Sequence, residues 1–375
     1  MFRTADSTAQ IDDLLTRICE ELQIPPGKYT EVENRYAGVS DWLGAEDSPL
    51  AKHKPRIMSQ GSLRIGTTVK PINHNEFDLD LVCQLHVDWK QIGNPVSLLD
   101  TVEKRLKAPG SNYTDLVERK NRCVRLNYAN EFHMDILPAC PDSTGPEGAL
   151  MVPDREAQDW KASNPDGYAN WFEGRAATLQ VVMARATEPL PEQESVAEKK
   201  PLKLAVQLIK RWRDIYYDGK PELAPLSIVL TTLAAHNYRG QTSVKDAISG
   251  ILDGIILGIP TIGRLTVLNP TNGKEDFSER WNENRDGYLA FIEGLKFFHR
   301  RWNDLDGKPG IHNAKQILEA LFGEKLYQRA LANQAEAIRK AHEAGRIGVK
   351  RGTGGVGLLG ATYTQAIPRN TFYGS

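Results

Sequence analysis

The stretch Gln60-Gly61-Ser62, followed by Phe77-Asp78-Leu79-Asp80, sets a glycine–serine turn just before two carboxylates on an apolar segment. A third carboxylate, Asp135, lies inside the apolar run 132–137. Because side chains alternate along a β-strand, the first two carboxylates should share one face of a sheet, and Asp135 could join them from a neighbouring strand. The pattern predicts a site for two Mg²⁺ ions, the arrangement that serves phosphoryl and nucleotidyl transfer.

Neither the Gly-Ser dipeptide nor the Asp-x-Asp triplet is specific alone. The alternative interpretation of the same sequence is an acidic turn and an unpaired aspartate on a strand. The apolar neighbours favour the metal site. Burying Asp80 between two leucines, or Asp135 between a methionine and an isoleucine, would cost free energy without a compensating cation. We therefore predict that Asp78, Asp80 and Asp135 are catalytic residues that bind Mg²⁺, with Mn²⁺ able to replace it.

Composition indicates an ordinary globular protein. The chain has 375 residues, enough for two domains, with 40% hydrophobic and 25% charged residues and a formal net charge of -1. This charge argues against constitutive binding of nucleic acid, although basic clusters such as 52–56 and 210–213 could face phosphate groups.

Cysteine usage and hydropathy bear on the compartment. The four cysteines form no CxxC pair and have no histidine partners at zinc-finger spacing, which argues against a disulfide framework and a structural zinc. The N-terminus lacks the apolar core of a signal peptide, and the most apolar run, 248–262, is interrupted by Asp253, three glycines and Pro260. We expect a cytoplasmic protein that does not enter a membrane.

Hydrophobic periodicity divides the chain into a mixed half and a helical half. The first half is predicted to contain helices at 7–24 and 29–43, strands at 55–58 and 77–87, and a hairpin of 124–128 and 132–137 that carries Asp135. The second half is predicted to contain helices at 202–217, 226–238, 244–257, 288–302 and 314–344, after an exposed loop at 188–200. The predicted fold class is α+β.

Longer segments around the turn and the aspartates carry further motifs. Residues 60–71 read QGSLRIGTTVKP and residues 76–82 read EFDLDLV, and other characteristic segments lie at 164–172, 206–214, 225–230 and 268–277 with Trp281. Together they resemble the cGAS/DncV-like nucleotidyltransferases, or CD-NTases, of the bacterial CBASS anti-phage systems. The resemblance covers roughly residues 55–300, and the loop between Ser62 and Asp78 is longer than the family leads us to expect.

The resemblance implies a two-lobed, polymerase-beta-like fold. Residues 1–50 would form N-terminal helices that brace both lobes, and 51–185 the catalytic nucleotidyltransferase lobe. Residues 186–350 would form a helical lobe like that of the oligoadenylate synthetases, and 351–375 a flexible tail.

The reaction that the resemblance implies is synthesis of a cyclic di- or trinucleotide second messenger. A ribose hydroxyl would attack the α-phosphate of ATP, alone or with GTP or another NTP, and pyrophosphate would leave. The product, rather than the enzyme, would act on an effector in anti-phage defence. The sequence leaves the bases, the ring size and the linkage of this product open.

The same resemblance assigns roles to individual residues. Gln60, Gly61 and Ser62 would bind the β- and γ-phosphates. Asp78 and Asp80 would share the metal bound to the triphosphate, and with Asp135 they would hold the second metal. Asp135 would also accept the proton of the attacking hydroxyl.

The helical lobe should supply a nucleotide-binding lysine. Lys203 and Lys210 lie two turns apart on one predicted helix, so both are candidates. Ser227, at the start of the facing helix, could bind phosphate or could simply cap that helix. We assign His133 a structural role, on the strand face opposite Asp135.

Two other functions remain open on sequence grounds. The same aspartates would serve an RNA-tailing enzyme, which the net charge disfavours, or an enzyme that modifies a protein or small molecule. A non-enzymatic role rests on residues 368–375, which resemble the tail that an E1/E2-like partner conjugates to a target in some family members. Against this, Ser375 follows Gly374 at the end of the chain.

Overall fold

A computed structural model of the chain describes residues 4–72, 77–128, 132–176, 189–307, 311–344, 347–349, 356–358 and 365–366. Two helices come first, α1 (Thr4–Glu21) and α2 (Pro26–Gly44). The apolar stripe of α1, including Leu14 and Ile18, is buried against the helical half of the chain. That of α2, including Val39 and Leu43, is buried against the sheet. The N-terminal segment therefore contributes to both hydrophobic cores.

The catalytic half is built on a seven-stranded sheet. Its strands are β1 (Arg56–Gln60), β2 (Phe77–Gln84), β3 (Val117–Arg119), β4 (Val124–Tyr128), β5 (Phe132–Pro141), β6 (Leu150–Asp154) and β7 (Asp159–Ser163). The spatial order is β1-β2-β5-β4-β3, with β6 paired to β5 and β7 to β6. Only the β2–β5 pair is parallel among these described pairs. The helices of this half are α3 (Gly61–Arg64), α4 (Val96–Leu106) and α5 (Pro165–Arg175).

The two faces of the sheet differ in chemistry because side chains alternate along β2. Leu79, Leu81 and Cys83 point into a core that also contains α2 and α4. Asp78 and Asp80 point to the opposite face, which continues into a small cluster around Met58 and Val82. The buried face thus fixes which way the aspartates project.

The helical half contains six long helices and a short hairpin within the described ranges. The helices are α6 (Pro201–Tyr216), α7 (Ser227–Asn237), α8 (Val244–Leu257), α9 (Arg285–Gly307), α10 (Ile311–Phe322) and α11 (Glu324–Glu343), and the hairpin strands are β8 (Leu268–Asn269) and β9 (Asn272–Asp276). Trp212 of α6 stacks on Phe298 of α9 with ring centroids 4.8 Å apart. Both rings are fully buried in the core of this half.

The prediction of one helix over 314–344 is wrong, because Gly323 separates α10 from α11. Its φ of 96° lies in the left-handed region, which ends a helix and suits glycine. The periodic apolar pattern continues across the break, so the pattern alone did not reveal it.

The C-terminal part is described only in short pieces. Strands β10 (Ile347–Val349), β11 (Val356–Leu358) and β12 (Gln365–Ala366) form an antiparallel sheet in the order β11-β10-β12. Residues 368–375, on which the conjugation hypothesis rests, lie outside the described residues, as does the predicted hairpin turn at 129–131. No helix in the described ranges has the length and apolar character needed to cross a membrane.

Candidate active site

The three aspartates meet on one face of the sheet. In the parallel β2–β5 pair, Asp80 lies opposite Asp135 and Asp78 lies opposite His133. This register confirms that the carboxylates share a face. It also shows that the placement of His133 on the other face is wrong, because His133 and Asp135 are two residues apart on one strand.

The turn that follows β1 packs directly against this group. β1 ends at Gln60, which is paired with Asp80, and Gly61 begins α3 with a φ of 64°. A Cβ atom at Gly61 would overlap the Asp80 carboxylate. Glycine is therefore required for its left-handed backbone and for the close approach of Asp80.

A cleft of about 470 Å³ opens above the aspartates. The sheet side of this cleft includes Gly61, Ser62, Asp78 and Asp80, and the helical side includes Lys210, Arg213, Asp214, Asp218 and Ser227. Its volume lies in the range of pockets that take small organic ligands. The cleft thus places an acidic sheet side opposite a helical side that carries both cations and carboxylates.

The electrostatics of this cleft favour a cation at Asp80. Burial, then the neighbouring charges of Asp135 and Asp78, raises the pKa of Asp80 to about 7. Burial likewise raises the pKa of Asp78, against the opposing effect of Arg125. The carboxylate of Asp80 accepts no hydrogen bond from another described residue, and the charges of Lys210 and Arg125 offset the rise in its pKa only in part.

These residues fit divalent magnesium by donor chemistry, since Mg²⁺ takes carboxylate oxygens and keeps several waters. As arranged in the structure, however, their side chains do not form a complete set of metal ligands. Within the described ranges, no three Asp, Glu, His or Cys side chains stand in a finished metal-binding geometry. The guanidinium of Arg125 lies among the carboxylates instead, with Nε 2.7 Å from Asp135 Oδ1 and Nη2 3.3 Å from Asp78 Oδ1.

Arg125 is a site residue that the sequence analysis missed. The signal was present, because counting back from the predicted turn at 129–131 pairs Tyr128 with Phe132 and therefore Arg125 with Asp135, as the structure shows.

The two candidate lysines lie in different surroundings. Lys210 lines the cleft and donates to the Thr67 carbonyl oxygen at 3.0 Å. Burial lowers its pKa to about 8, against the raising effect of Asp214. Lys203 is only 3% exposed, and its ammonium lies 2.9 Å from a carboxylate oxygen of both Glu173 and Glu194. The structure brings Lys210, and not Lys203, to the cleft.

The loop after the Gly-Ser turn is held by α6. Gln207 donates to the Thr68 carbonyl oxygen at 2.7 Å, and Arg211 donates to the Lys70 carbonyl oxygen at 2.6 Å. Along α6, these two donors flank Lys210. Each bond joins a side chain of the helical half to the backbone of the catalytic half. The loop that follows the Gly-Ser turn and the helical side of the cleft are therefore tied together.

Of the other predicted nucleotide-binding residues, two serines line the cleft and Gln60 does not. Ser62 lines the cleft, with its Oγ 3.3 Å from Thr68 Oγ1. Ser227 lines it from the first residue of α7. Gln60 lies behind the turn, at the end of β1, and is absent from the described lining of the cleft.

Known proteins with similar sequences identify the family of this chain. Residues 10–175 match the family model of the Second Messenger Oligonucleotide or Dinucleotide Synthetase domain. The chain is also 32% identical to a c-di-GMP synthase of Roseivirga ehrenbergii, over the full length of both proteins. The chain belongs to the CD-NTase family. A second relative, the cyclic dinucleotide synthase CdnG of Bradyrhizobium diazoefficiens, is 26% identical over 86% of this chain and 82% of its own.

The fold of this CD-NTase is similar to that of solved members. The structure of B. diazoefficiens CdnG in complex with GTP superposes with a TM-score of 0.70 at 22% identity, covering 87% of this chain and 99% of that one. The predicted two-lobed, polymerase-beta-like α+β fold is confirmed. As a CD-NTase, the protein is a nucleotidyltransferase that makes cyclic oligonucleotide second messengers from nucleoside triphosphates, and anti-phage defence is the role that the family implies.

Proposed function

We propose that this CD-NTase joins two molecules of GTP into a cyclic dinucleotide, by two successive attacks of a ribose hydroxyl on an α-phosphate. The observation that supports the reaction is the convergence of Asp78, Asp80 and Asp135 on one face of the sheet, where Asp78 and Asp80 line a nucleotide-sized cleft. The choice of GTP is supported by the full-length relative named c-di-GMP synthase and by the similar protein solved with GTP.

The residues that line the cleft suit a guanine base. The guanine edge presents acceptors at O6 and N7 and a donor at N2. On the helical side of the cleft, Arg213 already donates from Nη1 to Asp214 at 2.9 Å and from Nε to the Pro225 carbonyl oxygen at 2.7 Å, which leaves its Nη2 as the donor. Asp214 and Asp218 supply acceptors. We assign base recognition to this group.

The aspartates would hold two Mg²⁺ ions, which would lower the pKa of the attacking hydroxyl and neutralise charge on the leaving pyrophosphate. The backbone of Gly61 and the hydroxyl of Ser62 would bind the β- and γ-phosphates. Lys210 and Ser227 would bind them from the opposite wall, where the cation and the first turn of α7 both favour an anion. Asp135 would accept the proton of the attacking hydroxyl.

The product decides this proposal. Purified protein would be incubated with Mg²⁺ and labelled NTPs, singly and in pairs, and the phosphatase-resistant products compared by chromatography with cyclic dinucleotide and trinucleotide standards. GTP alone should give a product that comigrates with cyclic di-GMP, and Asp80→Asn should give none. A product that requires ATP would overturn the base choice, and extended RNA or labelled protein would overturn cyclisation.

A further inference from the structure

Arg125 lies between Asp135 and Asp78 in a geometry that engages both oxygens of Asp135. Its Nε donates to Oδ1 at 2.7 Å and its Nη2 to Oδ2 at 2.8 Å. The same Nη2 donates to Asp78 Oδ1 at 3.3 Å. The Arg125 side chain is 20% exposed and that of Asp135 17%, so water screens this pair only partly.

Such a planar, two-point pairing is the strongest way in which a side chain holds a carboxylate. It uses the carboxylate oxygens that a metal would need, and it places a positive charge where two divalent cations are expected. A guanidinium in this position repels incoming Mg²⁺ and compensates the aspartates in its place. The bound arginine and the bound metals are therefore alternatives.

The backbone keeps Arg125 in place. It lies directly opposite Asp135 in the antiparallel β4–β5 pair, so both side chains project from the same face of adjacent strands. The third aspartate, Asp80, accepts no hydrogen bond from Arg125 or from any other described residue. Arg125 thus holds Asp135 by two hydrogen bonds and Asp78 by one, and it leaves Asp80 without a hydrogen-bonded cation among the described residues.

We propose that Arg125 is a positioning residue that holds Asp135 and Asp78 while the site lacks metal and is displaced when Mg²⁺ arrives with the nucleotide. The triphosphate supplies the negative charge that offsets the displaced guanidinium. Without nucleotide, the enzyme binds divalent cations weakly. This inference rests on the proposed metal-binding role of the aspartates.

Binding of Mn²⁺ to the full-length protein without nucleotide, followed by electron paramagnetic resonance, tests the proposal. Arg125→Ala should bind Mn²⁺ more tightly than the unmodified protein, by about tenfold or more on the scale of removing a nearby cation. Arg125→Lys, which keeps the charge but lacks the planar fork, should fall in between. Arg119→Ala is the matched control, because Arg119 also pairs with two carboxylates, Asp100 and Glu103, away from the cleft.

Thermal unfolding gives an independent readout. In EDTA, Arg125→Ala should unfold at a lower temperature than the unmodified protein, because Asp135 and Asp78 then lose their counter-charge, and saturating Mn²⁺ should abolish the difference. Arg119→Ala should be destabilised equally with and without Mn²⁺. If Arg125→Ala is unfolded in EDTA, Arg125→Lys carries the comparison.

The outcomes distinguish failure of the proposed role of Arg125 from failure of the proposed metal site at the aspartates. Equal or weaker Mn²⁺ binding by Arg125→Ala and Arg125→Lys would overturn the role of Arg125. Asp80→Asn should abolish Mn²⁺ binding in every background. Retention of binding by that variant would instead refute the proposed metal site.

Discussion

The ammonium of Lys210 lies 3.0 Å from the carbonyl oxygen of Thr67, so one side chain both lines the cleft above the aspartates and contacts the loop that follows the Gly-Ser turn. A lysine used only to stabilise the loop would tolerate replacement by another hydrogen-bond donor. A lysine that also binds the triphosphate would not. This distinction makes Lys210 the first target for substitution.

Lys210→Met should lower kcat/KM for the NTP by about 100-fold or more, the scale of removing one preorganised charge-stabilising donor. The melting temperature should change little, because burial already disfavours this cation and lowers its pKa to about 8. Lys210→Gln, which can still donate to the Thr67 carbonyl, is the control for loop stability. Near-normal kinetics in Lys210→Gln would show that the charge is not needed.

Lys203→Met should act on stability instead. It leaves Glu173 and Glu194 without their shared cation, and breaking a buried ion pair of this kind costs about 3 kcal/mol. Urea denaturation should detect the loss, while kcat/KM measured well below the unfolding transition stays within a few-fold. Lys200→Met, at an exposed position three residues earlier, should leave both unchanged. A large kinetic defect in folded Lys203→Met would restore Lys203 as a nucleotide ligand.

Gly61→Ala should abolish activity through the displacement of Asp80. The added methyl group overlaps the Asp80 carboxylate and also requires a left-handed backbone, at a cost of about 1 kcal/mol for the backbone alone. Gly110→Ala is a matched control, since Gly110 has a φ of 84° but no atoms within 4 Å of an added Cβ. Both variants should lose similar stability from strain, and only Gly61→Ala should lose product formation. Comparable activity in the two would argue against the tight packing of Gly61 on Asp80.

Glu275 should make stability depend on pH. Burial raises its pKa to about 7, against hydrogen bonds from Asn269 and Ser163. Between about pH 4.5 and pH 7 the folded state retains the Glu275 proton and the unfolded chain releases it, so the free energy of unfolding falls as the pH rises through this window. Glu275→Gln should flatten this slope in thermal scans from about pH 5 to pH 8.

Glu283→Gln, at an exposed position, is the control and should keep the slope. An unchanged slope in Glu275→Gln would mean that other groups dominate the pH dependence. Because Ser163 ends β7 and Glu275 lies in β9, this titration also reports on the contact between the two halves of the chain.

The sequence was most informative where the two-residue period of a β-strand alone determines which face a side chain occupies. Alternation along a strand was enough to place Asp78 and Asp80 on one face, and the direction in which β2 and β5 pair does not affect that result. The choice between Lys203 and Lys210 depended on Glu194, which comes from the segment predicted to be an exposed loop. In the structure, Leu190, Val196 and Lys199 of that segment are buried. The ion pairs of Lys203 with Glu194, nine residues earlier, and with Glu173 of α5 have no signature in hydrophobic periodicity, and they made this difference.

The pairing of Asp80 with Asp135 joins strands that are far apart in the chain. A slip of one residue between β2 and β5 would put Met134 or Ile136 opposite Asp80 and turn Asp135 to the other face. No local segment of the chain therefore carries a rudimentary version of this site. Nucleotide chemistry should therefore appear late in refolding, once β2 and β5 have paired and the helical half has brought Lys210 to the cleft.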